Sequence, residues 1–208
     1  DRQLVTKDAT IREIHHRVKN NLQTVAALLR LQSRRMSNSD AKDALKQAMG
    51  RVSAIAVVHE ILSQNFEEQV AFDEVADRIL HMVGDVAASS GSVVARREGS
   101  FGEVPAETAT ALSLATTELC QNAIEHSLDS SSGNVIVRPH RTDDALVVDI
   151  VSDGKPLPEG FSLDNHRSSL GLSIVTTLMQ DLGGTFTLED NSDRVGTCAR
   201  LVIPLQRL

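Results

Sequence analysis

The sequence contains no tryptophan, no tyrosine and only five phenylalanines among its 208 residues. Proteins that stack single-stranded nucleic acid need aromatic rings, and the formal net charge of −7 disfavours both nucleic acid and anionic membranes. The two cysteines, Cys120 and Cys198, make no disulfide framework and are typical of small buried side chains in a reducing cytoplasm. No apolar run is long enough to span a bilayer, and no secretory leader opens the chain. We therefore predict a soluble, cytoplasmic fragment without a direct nucleic-acid partner, from which an upstream sensor or membrane segment could have been removed.

Residues 7–36 contain neither glycine nor proline, and their apolar side chains recur with a seven-residue period. This spacing predicts a long helix that packs along another helix. Ile14 and Leu28 widen the apolar stripe, which favours a bundle over a two-stranded coiled coil. The periodic positions are Ile11, Val18 and Val25, interleaved with Leu22, Leu29 and Met36.

A second amphipathic helix is predicted from the polar turn at 37–40, which offers an N-cap, to about residues 63–65. Two long antiparallel helices bury only one face each. A second copy of the chain would cover the remaining faces by completing a four-helix bundle. We therefore predict that residues 1–65 form a dimerising helical hairpin and that the protein is a homodimer.

From residue 66 onward the sequence predicts an α+β domain, because helical and strand-like patterns follow one another. Predicted helices cover residues 72–88, 105–127 and 168–182, and predicted strands cover 92–97, 134–140, 145–151, 185–189 and 198–204. These elements suggest one sheet covered by helices on one face. The predicted fold class is α+β: the helical hairpin, followed over residues 66–208 by a two-layer α/β sandwich with a mixed sheet.

Two adjacent histidines lie on the first predicted helix. The series Met36, Leu29 and Leu22, extended back by seven residues, reaches His15, whereas His16 is turned about 100° onto the flank. We expect His15 to be packed and His16 to be accessible to a large reagent. A neutral imidazole is a competent nucleophile near pH 7, because its reference pKa is about 6.5. From helix periodicity alone, however, His16 is more typical of an ordinary surface histidine.

Glu118 and Asn122 lie four residues apart on the helix predicted from Pro105, so they share one face. An acid and an amide on one stripe could hold a hydrated Mg²⁺, which keeps several waters and uses few protein ligands besides phosphates. A solvated polar face is an equally good interpretation of this spacing.

Three glycine-containing segments border predicted strands or helices. Asp153-Gly154 follows an apolar strand, where a carboxylate could accept a hydrogen bond from an adenine amino group, although a plain turn is more frequent. Leu170-Gly171-Leu172 opens a helix, where backbone N–H groups can approach a phosphate, and simple capping is the alternative. Gly196-Thr197 precedes the final strand, where the threonine hydroxyl could support an adenine contact.

In order and spacing, these segments resemble the motifs of sensor histidine kinases. The segment from Glu13 to Gln23 is similar to the H-box of the H-R-x-x-N subfamily, which is related to the HWE group. Residues 118–123 resemble the N-box of the superfamily of gyrase, heat-shock, histidine-kinase and mismatch-repair ATPases. The three glycine-containing segments resemble the remaining nucleotide boxes of that superfamily, so the resemblance covers nearly the whole chain.

The resemblance implies a role for each matching residue. His16 would be the phosphoacceptor, and Asn20 would help to orient water when the kinase dephosphorylates a partner. Glu118 would assist the attack or polarise the water of the metal, and Asn122 would bind Mg²⁺. Asp153 would hold the adenine of ATP. The other implied nucleotide contacts are Gly154, Leu170, Gly171, Leu172, Gly196 and Thr197, with residues 160–169 as a short lid.

The sequence departs from the family pattern D-x-G-x-G in one loop. Ser152 occupies the slot of the family's aspartate, Asp153 lies one residue before Gly154, and Pro156 replaces the second glycine. Either the loop shifts by one residue so that Asp153 reaches adenine, or a water carried by Ser152 does so. In addition, Arg17 follows the expected phosphoacceptor where the commoner kinase class has an acid, so no proton acceptor is identified.

We therefore predict the core of a two-component sensor kinase. ATP–Mg²⁺ bound in residues 66–208 would phosphorylate His16, and the phosphoryl group would pass to an aspartate of a response-regulator receiver domain. Phosphoryl transfer depends on in-line positioning and charge neutralisation, which suits two domains joined by a hinge near residues 64–69. A non-catalytic dimeric scaffold with a degenerate nucleotide-binding fold is the alternative. An ATPase or serine kinase of the same superfamily is a third reading, which leaves the H-box unexplained.

Overall fold

The computed structural model describes residues 2–64, 69–88, 91–128, 132–164 and 169–205. By backbone contacts the chain divides into two compact units. The first comprises Asp1–Val70 with Glu103–Leu114, and the second comprises Ala71–Gly102 with Ala115–Leu208. The domain boundary expected between residues 65 and 66 stays a prediction, and most of the expected hinge lies outside the described residues.

A helical hairpin is the main feature of the first unit. Its helices are α1 (Arg2–Arg35), which begins before the predicted start at residue 7, and α2 (Ser39–Gln64). The Oδ1 atom of Asn38 accepts hydrogen bonds from the main-chain N–H groups of Asp40 and Ala41, at 2.9 and 3.3 Å. This side-chain cap explains why α2 begins at Ser39. Long as these helices are, no helix in the described parts of the chain is apolar enough over a sufficient length to cross a membrane.

Helix α1 meets α2 along a single stripe. Ala26 and Ser33 are buried in this contact, and Leu22 and Leu29 are half-buried, as the seven-residue period predicts for the latter two. The expectation that Ile11, Val25 and Met36 belong to the packed seam is wrong within this chain, because one neighbouring helix covers only part of the circumference of α1. The large apolar side chains that stay exposed here are Ile11, Ile14, Val25, Leu28, Leu31 and Met36.

A two-stranded sheet was not predicted from the sequence. It consists of β1 (Gln69–Ala71) and β3 (Glu103–Pro105), each too short to show a strand-like alternation. Helix α4 (Ala106–Asn122) follows β3 directly, so Pro105 ends a strand and does not occupy the first turn of the helix. A strand end is a permitted place for proline, because the residue cannot donate a ladder hydrogen bond.

The second unit contains a five-stranded mixed sheet in the order β2-β4-β5-β7-β6, which confirms the predicted fold class. Strand β2 runs parallel to β4, and the remaining neighbours are antiparallel. The strands are β2 (Val93–Arg97), β4 (Gly133–Arg141), β5 (Ala145–Ser152), β6 (Thr185–Asp190) and β7 (Thr197–Pro204). The helices of this unit, besides the end of α4, are α3 (Phe72–Ala88) and α5 (Leu170–Asp181).

One face of this sheet carries the core, as predicted. On β5 and β7 the side chains of Val148, Ile150 and Leu201 are buried. The intervening residues Asp149 and Arg200 lie on the opposite face, where two hydrogen bonds of 2.6 and 2.8 Å join carboxylate and guanidinium. The pleat of a strand sends successive side chains to opposite faces, so every second residue of β5, from Leu146 to Ser152, is buried.

Both cysteines are free thiols. Cys120 is buried in α4, and this burial raises its pKa to about 12. Cys198 of β7 is half-buried, and burial is also the main reason that its pKa is raised. The prediction of small packed side chains is therefore correct for Cys120 and partly correct for Cys198.

Candidate active site

The two adjacent histidines of α1 point in different directions. His15 is half-buried, and its Nδ1 lies 3.0 Å from Nδ1 of His59 on α2. His16 is exposed, and its Nδ1 lies 3.4 Å from the side-chain amide nitrogen of Asn20, one turn further along. This geometry confirms that His15 packs within the hairpin while a large reagent can reach His16.

A charged pair lies on the same stretch of α1 as His16. The Nε atom of Arg17 donates to Oε1 of Glu13 at 2.7 Å, with both side chains largely exposed. The carboxylate one turn before His16 is therefore engaged with a guanidinium.

A cavity of about 440 Å³ lies in the second unit, bordered by the end of α4, the loop after β5 and the start of α5. Apolar walls and a few polar side chains are typical of small-molecule sites of this size. The apolar walls include Leu119, Ile150, Phe161, Leu172, Leu188 and Ala199. The polar lining includes Asn122, His126, Ser127, Lys155 and Thr197.

Glu118 and Gly171 approach each other closely beside this cavity. Glu118 is 5% exposed on α4, and Asn122, one turn later, lines the cavity. A Cβ atom at position 171 would lie 2.5 Å from Oε2 of Glu118, so glycine lets the start of α5 approach that carboxylate without displacing it. Leu172 lines the cavity, whereas Leu170 is 64% exposed. The structure therefore brings together all of these predicted residues except Leu170.

Three buried hydroxyl groups are linked at the polar edge of the cavity. Ser127 Oγ lies 2.6 Å from Ser152 Oγ, which in turn lies 2.9 Å from Thr197 Oγ1. The Oγ atom of Ser127 also donates to the main-chain carbonyl of Lys155 at 3.0 Å. Thr197 is thus placed at the cavity, as predicted, and it is joined there to the serine in the slot of the family's aspartate.

The carboxylate of Asp153 is engaged outside the cavity lining. It accepts hydrogen bonds from the main-chain N–H and the side-chain amide of Asn134, at 2.7 and 2.6 Å. Partial burial works to raise the pKa of Asp153, but the Asn134 hydrogen bonds outweigh it and hold the pKa below its usual range. The structure therefore does not bring Asp153 to the predicted adenine site. The sequence left two alternatives for the adenine contact: Asp153 after a one-residue shift of the loop, or a water carried by Ser152. The geometry favours the second.

Gly154 and Gly196 allow close backbone approaches around the hydroxyl groups. A Cβ atom at Gly154 would collide with the main-chain carbonyl of Ser127, and one at Gly196 would collide with that of Ser152. Gly196 also has a φ of +130°, which side chains rarely adopt. The two glycines therefore support the site through the backbone rather than by lining the cavity.

Ser127 was not predicted to be a site residue. Residues Ala123–Ser127 form a π-helical turn at the end of α4, closed by a 2.9 Å hydrogen bond from Leu128 N–H to the carbonyl of Ala123. Such turns are frequent at functional sites, but no residue pattern in the sequence predicts them. His126, predicted to continue the stripe of Glu118 and Asn122, does line the cavity.

The cavity residues fit a nucleotide–magnesium complex. Within the residues that the structure describes, no group of three or more His, Cys, Asp or Glu side chains could hold a metal ion. Mg²⁺ does not need such a group when phosphates and waters complete its coordination, so the amide oxygen of Asn122 beside Glu118 is a group that could hold it. The apolar walls suit a purine ring, and the glycine at the start of α5 suits a phosphate.

Family comparisons agree with this geometry. Residues 13–87 match the family described as histidine kinase, and residues 107–207 match the histidine kinase-, DNA gyrase B- and HSP90-like ATPases. The first match contains the exposed His16, and the second contains every residue named above in the cavity. The chain belongs to the histidine kinases, in the HWE-related group that carries this ATPase domain.

Individual relatives give the same assignment. The sensor histidine kinase PdtaS of Mycobacterium tuberculosis is 50% identical over 210 residues, which cover 100% of this chain and 42% of that protein. PdtaS of Mycolicibacterium smegmatis is 48% identical with the same coverage. The solved histidine kinase domain of the Erythrobacter litoralis blue-light activated kinase EL346 superposes with a TM-score of 0.65 at 25% identity, covering 99% of this chain and 95% of that one. This chain therefore spans less than half the length of the PdtaS proteins.

Proposed function

We propose that this chain is the kinase core of a two-component sensor, in which ATP phosphorylates His16 and the phosphoryl group passes to an aspartate of a response-regulator receiver domain. The observation that carries the proposal is the accessible imidazole of His16 beside a packed His15, in a chain with a nucleotide-sized cavity. Residues 1–65 would carry the phosphoacceptor, and residues 66–208 would bind ATP.

The chemistry of His16 follows from its contact with Asn20. The Nδ2 atom of Asn20 lies 3.4 Å from Nδ1 of His16, so the amide donates to Nδ1 and the ring proton lies on Nε2. A bond would form between Nε2 and the γ-phosphorus as the bond to the bridging oxygen breaks, which releases ADP. The Nε2 proton would leave to solvent in this step, and the amide of Asn20 would still donate to Nδ1 of the phosphorylated ring.

The polar residues at the cavity would position the triphosphate. Asn122 would hold Mg²⁺, which neutralises charge on the β- and γ-phosphates. Glu118 lies one turn earlier on the same face of α4 and is close to the start of α5. The first turn of α5 would offer backbone N–H groups to the phosphates, because Gly171 has no side chain to prevent the approach.

A homodimer is proposed from the exposed apolar side of α1. Ile14, Leu28 and Leu31 are 53%, 58% and 53% exposed, and they lie on a helix whose other stripe already packs on α2. Soluble proteins rarely leave such a stripe open to water. A second copy would cover it by forming a four-helix bundle, with His16 on the outer side.

The proposal is tested by incubating the protein with γ-labelled ATP and Mg²⁺ and measuring acid-labile label. Label is expected on the wild type and is expected to disappear in His16→Gln. His81→Gln is the matched control, because His81 is an exposed histidine on helix α3 of the second unit. Its Nδ1 lies 2.8 Å from Oδ2 of Asp85, one turn later on the same helix. A labelled protein mixed with a receiver domain should lose its label to that domain.

Other results would contradict the proposal in distinct ways. Acid-labile label that persists in His16→Gln would show that another residue is the phosphoacceptor. Nucleotide binding without any label would favour the non-catalytic scaffold. Acid-stable label on hydroxyl groups would favour a serine kinase of the same superfamily.

A further inference from the structure

The hydroxyl groups of Ser127, Ser152 and Thr197 form a hydrogen-bonded chain in which one direction of donation places all three hydroxyl protons in hydrogen bonds. In that direction Ser127 Oγ donates its single proton at 3.0 Å to the main-chain carbonyl of Lys155, which can only accept. Ser152 must then donate to Ser127 across the 2.6 Å contact. Ser152 has no second proton, so Thr197 must donate to Ser152 across the 2.9 Å contact.

The direction of this chain decides what Thr197 offers to the cavity. In this direction its hydroxyl proton points towards Ser152, so Oγ1 has only lone pairs left to offer to a ligand in the cavity. The main-chain N–H of Thr197 is also directed at Ser152 Oγ, at 3.3 Å, and is not offered to the ligand. The edge of the cavity formed by this hydroxyl therefore accepts hydrogen bonds and does not donate them.

We propose that this hydroxyl chain makes the site select a 6-aminopurine over a 6-oxopurine, and that Ser127 is the positioning residue that sets its direction. The inference rests on the proposed function, because it assumes that the cavity holds the purine of ATP. An amino group at the 6-position donates to Thr197, whereas an oxo group places a second acceptor against it. A buried acceptor left without a donor costs about 1–3 kcal/mol, which corresponds to about 5- to 150-fold in affinity.

The need for Ser127 follows from the residue in the aspartate slot. A carboxylate at position 152 would accept hydrogen bonds in any orientation, but a serine hydroxyl can also donate. The direction must therefore be imposed from elsewhere. Ser127 is well held for this task, because its own carbonyl accepts a 2.7 Å hydrogen bond from Lys155 N–H while its hydroxyl donates to the carbonyl of the same residue.

The test compares equilibrium binding of ATP and ITP, which differ at the 6-position of the purine, to the whole chain by calorimetry. The wild type should bind ATP about ten- to a hundredfold more tightly than ITP. In Ser127→Ala the proton of Ser152 is released and can turn towards Thr197, whose own proton then faces the cavity. ITP should gain affinity, so the ATP:ITP ratio should fall at least severalfold.

Two further variants separate this effect from general damage. Ser152→Ala removes the acceptor of the Thr197 proton while leaving Ser127 in place, so it should lower the ratio in the same way. In Ser127→Ala/Ser152→Asp a carboxylate, which cannot donate, should restore the preference for ATP. Ser192→Ala is the control, because Ser192 is exposed in the turn between β6 and β7, away from the cavity, and its hydroxyl donates to Asp193 Oδ1 at 3.2 Å.

The outcomes distinguish a failure of the proposed ATP binding from a failure of base selection by the hydroxyl chain. If the wild type binds neither nucleotide, the proposed function itself is wrong. If ATP binds but the ATP:ITP ratio is near one, or is the same in Ser127→Ala and Ser152→Ala as in the wild type, the hydroxyl chain does not select the base. A thermal melt of each variant shows whether it is folded, and the ratio is unaffected by a loss that is common to both nucleotides.

Discussion

Nδ1 of His15 on α1 lies 3.0 Å from Nδ1 of His59 on α2, so the two rings link the helices of the hairpin. His15 immediately precedes the exposed His16. At this distance one nitrogen donates and the other accepts, so the contact cannot persist when both rings are protonated. Burial lowers the pKa of both histidines, and the charge of His15 lowers that of His59 further. Lys19 and Glu60, whose charged atoms lie 3.9 Å apart, join the same two helices.

This contact predicts that the hairpin becomes less stable in acid. Both folded pKa values lie below the ordinary value of 6.5, so the unfolded chain binds more protons as the pH falls through that value. The stabilisation is complete above about pH 6.5 and is lost as the pH falls towards the lowered pKa values. Melting temperatures measured at pH 7.5 and 5.5 should therefore decrease more for the wild type than for His59→Gln. An equal decrease in both proteins would show that this pair does not titrate on unfolding.

Gly171→Ala is expected to impair phosphorylation more than folding. The new Cβ would lie 2.5 Å from Oε2 of Glu118, which is the end of a flexible side chain and can move aside. The displaced carboxylate should lower the rate of label incorporation at least tenfold while the melting temperature changes little. Gly84→Ala is the control, because a Cβ there meets nothing within 4 Å, and this helical substitution should stabilise the protein by about 0.5–1 kcal/mol.

Gly196→Ala is expected to destabilise the second unit. The residue has a φ of +130°, and an added Cβ would collide with the main-chain carbonyl of Ser152, which cannot move without shifting β5. The free energy of unfolding in urea should fall by more than about 1 kcal/mol, together with ATP affinity. Gly160→Ala is a useful comparison, since Gly160 also has a positive φ of +74° but has nothing within 4 Å of the added Cβ. Equal losses in the two variants would mean that backbone strain alone is responsible.

Leu28→Glu is expected to weaken the proposed dimer. Leu28 is 58% exposed in the single chain and would be buried by a second copy, so a carboxylate there forfeits about 1.5–3 kcal/mol of apolar burial. The dissociation constant from sedimentation equilibrium should rise by at least about tenfold. Ala27→Glu introduces the same charge at the neighbouring exposed position, about 100° around the helix, and should leave the dimer intact. A wild-type chain that is monomeric at micromolar concentration would contradict the proposal directly.

Much of the fold could be predicted because its signals are long. The seven-residue repeat through Leu22 and Leu29 extends over several turns, and the apolar run of β5 covers most of its eight residues. The strands β1 and β3 have three residues each, so no periodicity was available and Pro105 was assigned to the following helix. The packed stripe was predicted only in part, since the position of Val25 depends on how much of α1 a single neighbour covers.

The candidate site was predictable where residue type carries the chemistry. Glu118, Asn122 and Thr197 were found from their types and spacings, and the structure places them at or beside the cavity. Asp153 was predicted to contact adenine because it is the carboxylate of its loop. In the structure it instead accepts hydrogen bonds from Asn134 at the start of β4, a contact that sequence spacing does not predict. Roles for these residues stay predictions until the variants above are measured.

The π-helical turn from Ala123 to Ser127 makes this segment sensitive to its length as well as to its composition. A turn closed over five residues holds one residue more than an ordinary α-helical turn. Deleting any one residue here would let the helix close normally and would rotate whatever follows by about 100°. The serine hydroxyl would then leave its partners even though no serine had been removed. A shortened protein could thus keep every side chain proposed to recognise the base and still fail to distinguish one purine from another.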